Sequence, residues 1–184
     1  MEVFRNDKRY SYADYANWDT EDRYELIDGV PYAMASPSTV HQIVSGNLFS
    51  ELHGFLKGNP CKVFAAPYDV RLTAAAGDDT VVQPDIVVIC DRSKLSDTGC
   101  KGAPDLVVEI MSKSSASRDK VLKFNQYLKA GVGEYWIVDP DSKTVTVNIL
   151  DNGRYYNSSY AETDAVPVHV LDGCTISLSD VFAE

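Results

Sequence analysis

The sequence predicts an α/β fold with a mixed central β-sheet that is flanked by helices and extended by β-hairpins. The first observation is an apolar, β-branched run at 106–110, followed by a helical segment and a second apolar run at 134–138. Strand, helix and strand in this order form a β-α-β unit, whose two strands can lie parallel after a right-handed crossover. The second observation is a set of short strands joined by Asp-Gly and Asn-Gly turns, which supply antiparallel partners.

Length and composition indicate an ordinary globular chain. A length of 184 residues fits one domain covering 1–184, and 45% hydrophobic with 24% charged residues is typical of such domains. The formal net charge of -10 argues against a non-specific nucleic-acid binder, although a local basic stripe can survive an acidic average.

Targeting signals and cysteine usage favour the cytoplasm. The longest apolar runs are too short to span a bilayer, and the first residues lack the apolar stretch of a secretory signal. The cysteines at 61, 90, 100 and 174 form no C-x-x-C pair, so we expect free thiols in a reducing compartment.

The N-terminal third predicts a short helix, a hairpin and a longer helix. Apolar residues at helical spacing over 10–18 predict a helix with Ser11 as its N-cap. The pattern at 24–34 predicts two strands around an Asp28-Gly29 turn. Glu25 alternates on the first of these strands, which favours an exposed side chain. Apolar residues with a period near 3.6 predict a second helix, which is capped by Ser38 or Thr39 and stops at 58–60. His41 falls in the first turn of this helix, and we expect it to cap the helix or lie on the surface and not to belong to a site.

The middle of the chain predicts strands at 61–66 and 68–72, paired through Pro67, and a surface turn at 74–80. A strand at 81–90 carries Asp85, and 91–102 is predicted to be a polar loop without an element of its own.

The last third begins with a strand buried on both faces at 106–110, which carries Glu109. The helix after it covers 118–130, is capped by Ser114, Ser115 or Ser117, and ends at Gly131. Asp119, Lys123 and Tyr127 share one side of this helix, and its predicted core face comprises Val121, Leu122, Phe124 and Leu128. A strand at 134–139, a hairpin around 151–153, a strand-like stretch at 166–171 and a final turn at 178–182 complete the chain.

Asp85 and Glu109 each interrupt an apolar strand. Burying a carboxylate costs several kcal/mol unless a cation or hydrogen bonds compensate, so a metal site is one explanation. Magnesium usually takes one or two protein carboxylates, and Glu25 could add a third. A lysine could position the water that attacks the phosphodiester, with Lys123 as the first candidate and Lys120 as the second. The alternative is that Glu109 and Lys123 form a structural salt bridge with no catalytic role. The three histidines show no zinc spacing, and no glycine-rich phosphate loop or Gly-x-Ser-x-Gly elbow occurs.

Six motifs occur in order between residues 24 and 140, within a longer similar stretch that covers roughly residues 10–178. They are Tyr24-Glu25-Leu26-Ile27-Asp28-Gly29, Ser36-Pro37-x-x-x-His41, Pro84-Asp85, Val107-Val108-Glu109-Ile110-x-Ser112, Arg118-Asp119-x-x-x-Lys123-x-x-x-Tyr127, and Gly131-Val132-x-Glu134-Tyr135-Trp136-Ile137-Val138-Asp139-Pro140. Together they resemble the Uma-type restriction endonuclease family, a bacterial family of the PD-(D/E)XK nuclease superfamily that is abundant in cyanobacteria.

The resemblance implies a restriction-endonuclease-like core with a site for magnesium or manganese. Asp85 and Glu109 match the family's ligands, and Glu25 matches its early acidic residue. The superfamily's lysine, expected two residues after Glu109, is Met111 here, and the resemblance implies that Lys123, or else Lys120, takes its place from the next helix. His41, Asp119 and Tyr127 would then be neighbours of the site.

The resulting hypothesis is a metal-dependent endonuclease that hydrolyses phosphodiester bonds of nucleic acid, with DNA expected. A catalytically inactive nucleic-acid-binding or protein-interaction module on the same fold is the alternative, and another phosphorylated substrate is a third. Restriction-type enzymes that cut both strands often dimerise, so we expect a homodimer by analogy. No membrane partner is expected.

Overall fold

The computed structural model describes residues 4, 8–74, 77–112 and 118–183, with the side chains of 118–120 excepted. This part of the chain contains the helices α1 Tyr12–Tyr15, α2 Thr39–Phe55, α3 Arg118–Ala130 and α4 Leu178–Val181, and a 3₁₀ turn at Arg92–Lys94. Its strands are β1 Tyr24–Ile27, β2 Val30–Ala33, β3 Lys62–Ala65, β4 Asp69–Arg71, β5 Val81–Val82, β6 Ile86–Ile89, β7 Leu95–Ser96, β8 Gly99–Lys101, β9 Leu106–Ile110, β10 Glu134–Asp139, β11 Thr144–Asp151, β12 Arg154–Ala161, β13 Ala165–Pro167 and β14 Thr175–Ser177. None of these helices is long and apolar enough to cross a membrane.

Two six-stranded sheets and one two-stranded sheet organise these strands. The central sheet has the order β12-β11-β10-β9-β6-β3, the peripheral sheet has the order β2-β1-β5-β4-β8-β7, and β13 pairs with β14. In the central sheet β9 and β10 are parallel, joined through α3, and the other neighbours are antiparallel. The predicted α/β class, mixed sheet and β-α-β unit are confirmed.

The central sheet is buried on both faces because its middle strands are apolar on both sides. One face packs against α2, α4 and the β13–β14 pair. The other face packs against the peripheral sheet and α3. In β9, Leu106, Val107 and Val108 are fully buried, as the sequence predicted. Glu109 follows them near the end of β9, on the face of the central sheet that packs against the peripheral sheet and α3.

Several local predictions are confirmed. Asp28 and Gly29, with φ of 48° and 74°, form the turn between β1 and β2 in the left-handed conformation that an Asp-Gly pair tolerates. Ser11 caps α1 with a capping box, and Ser38 caps α2. The hairpin of β11 and β12 turns at 151–153. The predicted caps of α3, at 114, 115 and 117, lie outside the described residues.

The strand predicted at 81–90 is two strands in different sheets. Val81–Val82 is β5 of the peripheral sheet, whereas Ile86–Ile89 is β6 of the central sheet. Pro84 lies between them and has no N–H to donate to a ladder, so one continuous strand is disfavoured. The chain therefore crosses from sheet to sheet just before Asp85.

Three other element predictions are wrong. The stretches 61–66 and 68–72 are not paired with each other, because β3 pairs with β6 while β4 pairs with β5 and β8. The loop predicted at 91–102 contains the 3₁₀ turn, β7 and β8. The strand predicted at 166–171 is limited to β13. For β3 and β4 the partner strands are distant in sequence, which a local pattern does not reveal. After β13 the chain instead turns, with Leu171 N–H donating to Val168 O and Val168 N–H to Cys174 O.

The prediction of four free thiols is wrong for two of them. Lys62 lies opposite Ile89 in the β3–β6 ladder, so the next position places Cys61 opposite Cys90, and these residues form a disulfide. Cys100 and Cys174 are free and buried.

Candidate active site

Asp85, which directly precedes β6, lies beside Glu109 of the neighbouring strand β9. Ile86 of β6 lies opposite Val108 of β9 in an antiparallel ladder, so the adjoining positions place Asp85 across from Glu109. The Ile110 N–H donates to Asp85 Oδ2 over 2.7 Å, which fixes the Asp85 carboxylate at the end of the ladder.

Lys123 of α3 joins Glu109 to Glu25. Its Nζ lies 2.8 Å from Glu25 Oε1 and 2.9 Å from Glu109 Oε1, and its side chain is only 7% exposed. Tyr127, one turn further along α3, donates its hydroxyl to the same Glu109 Oε1 over 2.5 Å. One helix therefore holds carboxylates from both large sheets.

Glu25 is buried, so the exposed position that strand alternation favoured is wrong. Besides Lys123, the Gln83 N–H donates to Glu25 Oε1 over 2.8 Å. This bond and the ion pair compensate for the removal of the carboxylate from water.

His41 is also buried, and neither the surface nor the capping interpretation holds. Ser38 Oγ caps α2 by accepting from the His41 N–H, while the His41 Nε2 lies 3.3 Å from Asp85 Oδ2. The His41 Nδ1 is buried with no hydrogen-bond partner in the described part of the chain. The structure thus brings Glu25, His41, Asp85, Glu109, Lys123 and Tyr127 together.

Other residues of the predicted site have different positions. The side chains of Asp119 and Lys120 lie outside the description. The Met111 N–H donates to Val138 O over 2.8 Å and continues the pairing of β9 with β10. Gln83 was not predicted as a site residue, because a glutamine before Pro-Asp carries no periodic or motif signal. Gln126 was not predicted either; its Nε2 donates to Asp28 Oδ2 over 2.7 Å and ties α3 to the β1–β2 turn.

The pKa values of the cluster reflect burial and an excess of carboxylates. Burial raises the pKa of Glu109 to about 7, with Lys123 acting against the rise and Asp85 and Glu25 adding to it. For Lys123, burial lowers the pKa, but Glu109 and Glu25 outweigh it, so the ammonium keeps its proton. For His41, burial also lowers the pKa, and Asp85 and Glu109 together raise it above its ordinary value.

The donor chemistry fits a hard divalent cation bound by two carboxylates. Among the described residues no group of three or more His, Cys, Asp and Glu side chains has the geometry to hold a metal ion. Magnesium, however, usually takes only one or two protein carboxylates and fills its remaining positions with water and phosphate. Asp85 and Glu109 supply that pair, and the contacts above use one oxygen of each, Oδ2 and Oε1. A cation would also offset the excess negative charge that raises the pKa of Glu109.

Comparison with known proteins identifies the family. The model of the Uma2 family, described as "Putative restriction endonuclease", matches residues 12–179. The chain belongs to the Uma2 family. The resemblance predicted from the six motifs is therefore confirmed over almost the whole sequence.

Two relatives of this Uma2 chain extend the comparison. A Synechocystis sp. protein, named uncharacterized protein slr1290, is 28% identical over 157 residues, which cover 82% of this chain and 80% of the relative. The crystal structure of "a putative nuclease belonging to DUF820" from Anabaena variabilis superposes with a TM-score of 0.75 at 23% identity. That match covers 95% of this chain and 98% of the other, and it shows that the two share a fold.

Proposed function

We propose that this Uma2-family protein is a metal-dependent endonuclease that hydrolyses phosphodiester bonds of nucleic acid, with DNA as substrate. One observation carries the proposal: Lys123 contacts Glu109 at 2.9 Å, beside Asp85 at the end of two paired strands. Two adjacent carboxylates and a protonated lysine form the set that metal-assisted phosphodiester hydrolysis needs. The family description supports the same reaction class.

Each residue of the cluster has a role in this proposal. Asp85 and Glu109 hold Mg²⁺ or Mn²⁺. Glu25, which the resemblance implied as a third ligand, is instead paired with Lys123 and lies outside the proposed coordination of the ion. When bound, the cation would neutralise charge that develops on the phosphodiester and lower the pKa of the attacking water. Lys123 keeps its proton and donates hydrogen bonds that orient the water or a phosphate oxygen. Lys120 is the second candidate for this role.

His41 and Tyr127 position the two carboxylates. The imidazole of His41 contacts Asp85 Oδ2, and the hydroxyl of Tyr127 donates to Glu109 Oε1. Both contacts restrict the rotation of a carboxylate whose other oxygen is proposed to face the cation. We further propose a homodimer, which would place one such cluster at each DNA strand.

The test compares two aspartates with the same structural role at opposite ends of one strand pair. Asp85 Oδ2 accepts from the Ile110 N–H, and Asp105 Oδ2 accepts from the Cys90 N–H, each over 2.7 Å. Plasmid DNA, single-stranded DNA and RNA are incubated with Mn²⁺ and wild type, Asp85→Asn, Glu109→Gln or Asp105→Asn. We expect Asp85→Asn and Glu109→Gln to lose about 10²–10³-fold in cleavage rate, and Asp105→Asn to keep it.

Two outcomes would contradict the nuclease proposal. The first is the absence of cleavage by wild type on all three substrates, and the second is equal activity of Asp85→Asn and Asp105→Asn. Nucleic-acid binding without cleavage would instead favour the non-catalytic binding module. Calorimetric titration with Mn²⁺ checks the metal separately, because Asp85→Asn should lose the heat of binding that Asp105→Asn retains.

A further inference from the structure

Arg23 directly precedes β1, and its side chain projects from the same face of this strand as the side chain of Glu25. The Met34 N–H donates to Arg23 O over 2.9 Å, so the β1–β2 ladder continues one residue before β1. Side chains alternate along such a ladder. Tyr24 and Leu26 pack with the N-terminal aromatic residues, so Arg23 and Glu25 project from the opposite face.

The uncharged side-chain amide of Gln83 binds the Arg23 guanidinium. Arg23 Nε and Nη2 donate to Gln83 Oε1 over 3.1 and 2.6 Å. Gln83 is itself fixed, because its Nε2 donates to Asp69 Oδ1 over 2.8 Å and to the Tyr15 hydroxyl over 3.0 Å. The same Gln83 donates its backbone N–H to Glu25, so guanidinium and site carboxylate are held by one residue. A guanidinium has five N–H donors, and within the described part of the chain these two bonds leave three for a ligand.

The charge on Arg23 is not neutralised by an ion pair with any described residue. Lys123 is paired with Glu25 and Glu109, and Lys143 is paired with Glu162. Arg23, by contrast, is exposed and bound to an uncharged acceptor. As far as the described residues show, a positive charge with three unused donors therefore lies at the rim of the carboxylate cluster, whose negative charge repels a polyanion.

We propose that Arg23 binds a backbone phosphate next to the scissile bond and so positions the nucleic acid over the carboxylates. This inference rests on the proposed function. A planar guanidinium matches two phosphate oxygens at once, and Gln83 orients it before the substrate arrives. Arg23 is thus a substrate-binding residue, and the strand alternation explains why it accompanies Glu25.

The experiment measures the salt dependence of DNA binding in EDTA, where cleavage does not interfere. A short fluorescein-labelled DNA duplex is titrated by anisotropy at several salt concentrations with wild type, Arg23→Gln, Arg23→Lys and Arg154→Gln. Arg154 is an exposed arginine at the start of the edge strand β12 and serves as the matched control. We expect Arg23→Gln to bind about tenfold more weakly and to lower the slope of log K against log salt by about one.

The conservative variant separates charge from folding. Arg23→Lys keeps the positive charge, so we expect the wild-type slope with a smaller loss of affinity, and Arg154→Gln should match wild type. An unchanged slope in Arg23→Gln, with wild type binding the duplex, overturns the inference and leaves the nuclease proposal intact. Failure of wild type to bind or cleave any nucleic acid overturns both. A lower slope in Arg23→Gln without cleavage by wild type would keep Arg23 as a phosphate-binding residue, but it would contradict the nuclease and, with it, the position of that phosphate next to a scissile bond.

Discussion

Glu109 Oε1 accepts hydrogen bonds from both Lys123 and Tyr127, so the carboxylate is held in one orientation. Tyr127→Phe removes one of these donors and leaves the packing of the ring almost unchanged. Because a hydrogen bond to a charged group contributes about 1.5–3 kcal/mol, we expect a loss of that order in the free energy of unfolding. Urea denaturation measures it, and the Mn²⁺-dependent cleavage rate should fall about tenfold or more as Glu109 gains freedom.

Tyr155 provides the matched control for this effect. Its hydroxyl donates to the Val132 backbone carbonyl over 2.9 Å and has no contact with the carboxylate cluster. Tyr155→Phe should therefore lower the free energy of unfolding by about 0.5–1.5 kcal/mol and leave cleavage unchanged. Equal cleavage rates for the two variants would contradict a positioning role for Tyr127.

At the scale of single residues, the sequence predicted which side chains come together, but it did not predict their burial or their hydrogen-bond partners. Asp85 and Glu109 stood out because each is a charge in an apolar strand, and Lys123 because the expected lysine position is Met111. The burial of Glu25 could not be read from alternation, since a half-buried strand shows the same pattern whichever face carries the site. Gln83 and Arg23 had no local signal, because their importance comes from contacts with residues far along the chain.

At the scale of elements, α3 shows why a hydrophobic stripe can mislead. The predicted core face included Val121, which is 64% exposed, whereas Lys123, Gln126 and Tyr127 are buried. The helix packs toward Glu25, Asp28 and Glu109, so polar side chains satisfy its inner face. Periodicity identifies an apolar face, but it cannot show that the partner surface carries charge.

The ion pairs of α3 predict a large difference between buried and exposed lysines. Lys123→Met leaves Glu25 and Glu109 buried without a cation, so we expect the free energy of unfolding to fall by about 3–5 kcal/mol. Lys143→Met, the control, breaks the pair with Glu162, whose side chains are 42% and 43% exposed; such a surface pair contributes about 0–1 kcal/mol. Urea denaturation at neutral pH measures both.

A second substitution tests the physical reason for the Lys123 effect. Glu25→Gln combined with Lys123→Met removes one of the two uncompensated charges, and we expect it to restore part of the lost stability. Losses of similar size for the two lysine variants, or no recovery in the double variant, would show that the buried charges are compensated in another way.

At the scale of the whole molecule, the site lies where three parts of the chain meet. Glu25 belongs to the peripheral sheet, Asp85 and Glu109 belong to the central sheet, and Lys123 on α3 bridges them. The sequence predicted the central sheet because its β-α-β unit is local. It did not predict the peripheral sheet, since the short strands β5, β7 and β8 acquire partners only in the folded chain.

The shared site predicts that both large sheets unfold in a single transition, as expected for one domain. Two buried free thiols and a buried tryptophan report on different parts: Cys100 on the peripheral sheet, Cys174 beside β14, and Trp136 on the central sheet. Burial raises the pKa of both thiols to about 11, so about one in a thousand is thiolate at pH 8 and native alkylation is slow. Urea then exposes them to pulse labelling with iodoacetamide, which mass spectrometry resolves by residue.

We expect the labelling midpoints of Cys100 and Cys174 to coincide with the midpoint of Trp136 fluorescence, measured in a Trp18→Phe background. Cys61 and Cys90 should remain unlabelled until a thiol reductant is added, because they are joined in a disulfide. If Cys100 became reactive at lower urea than Cys174, the peripheral sheet would be opening alone. The ion pairs of Lys123 would then be too weak to couple the sheets, and the prediction of one cooperative domain would be wrong.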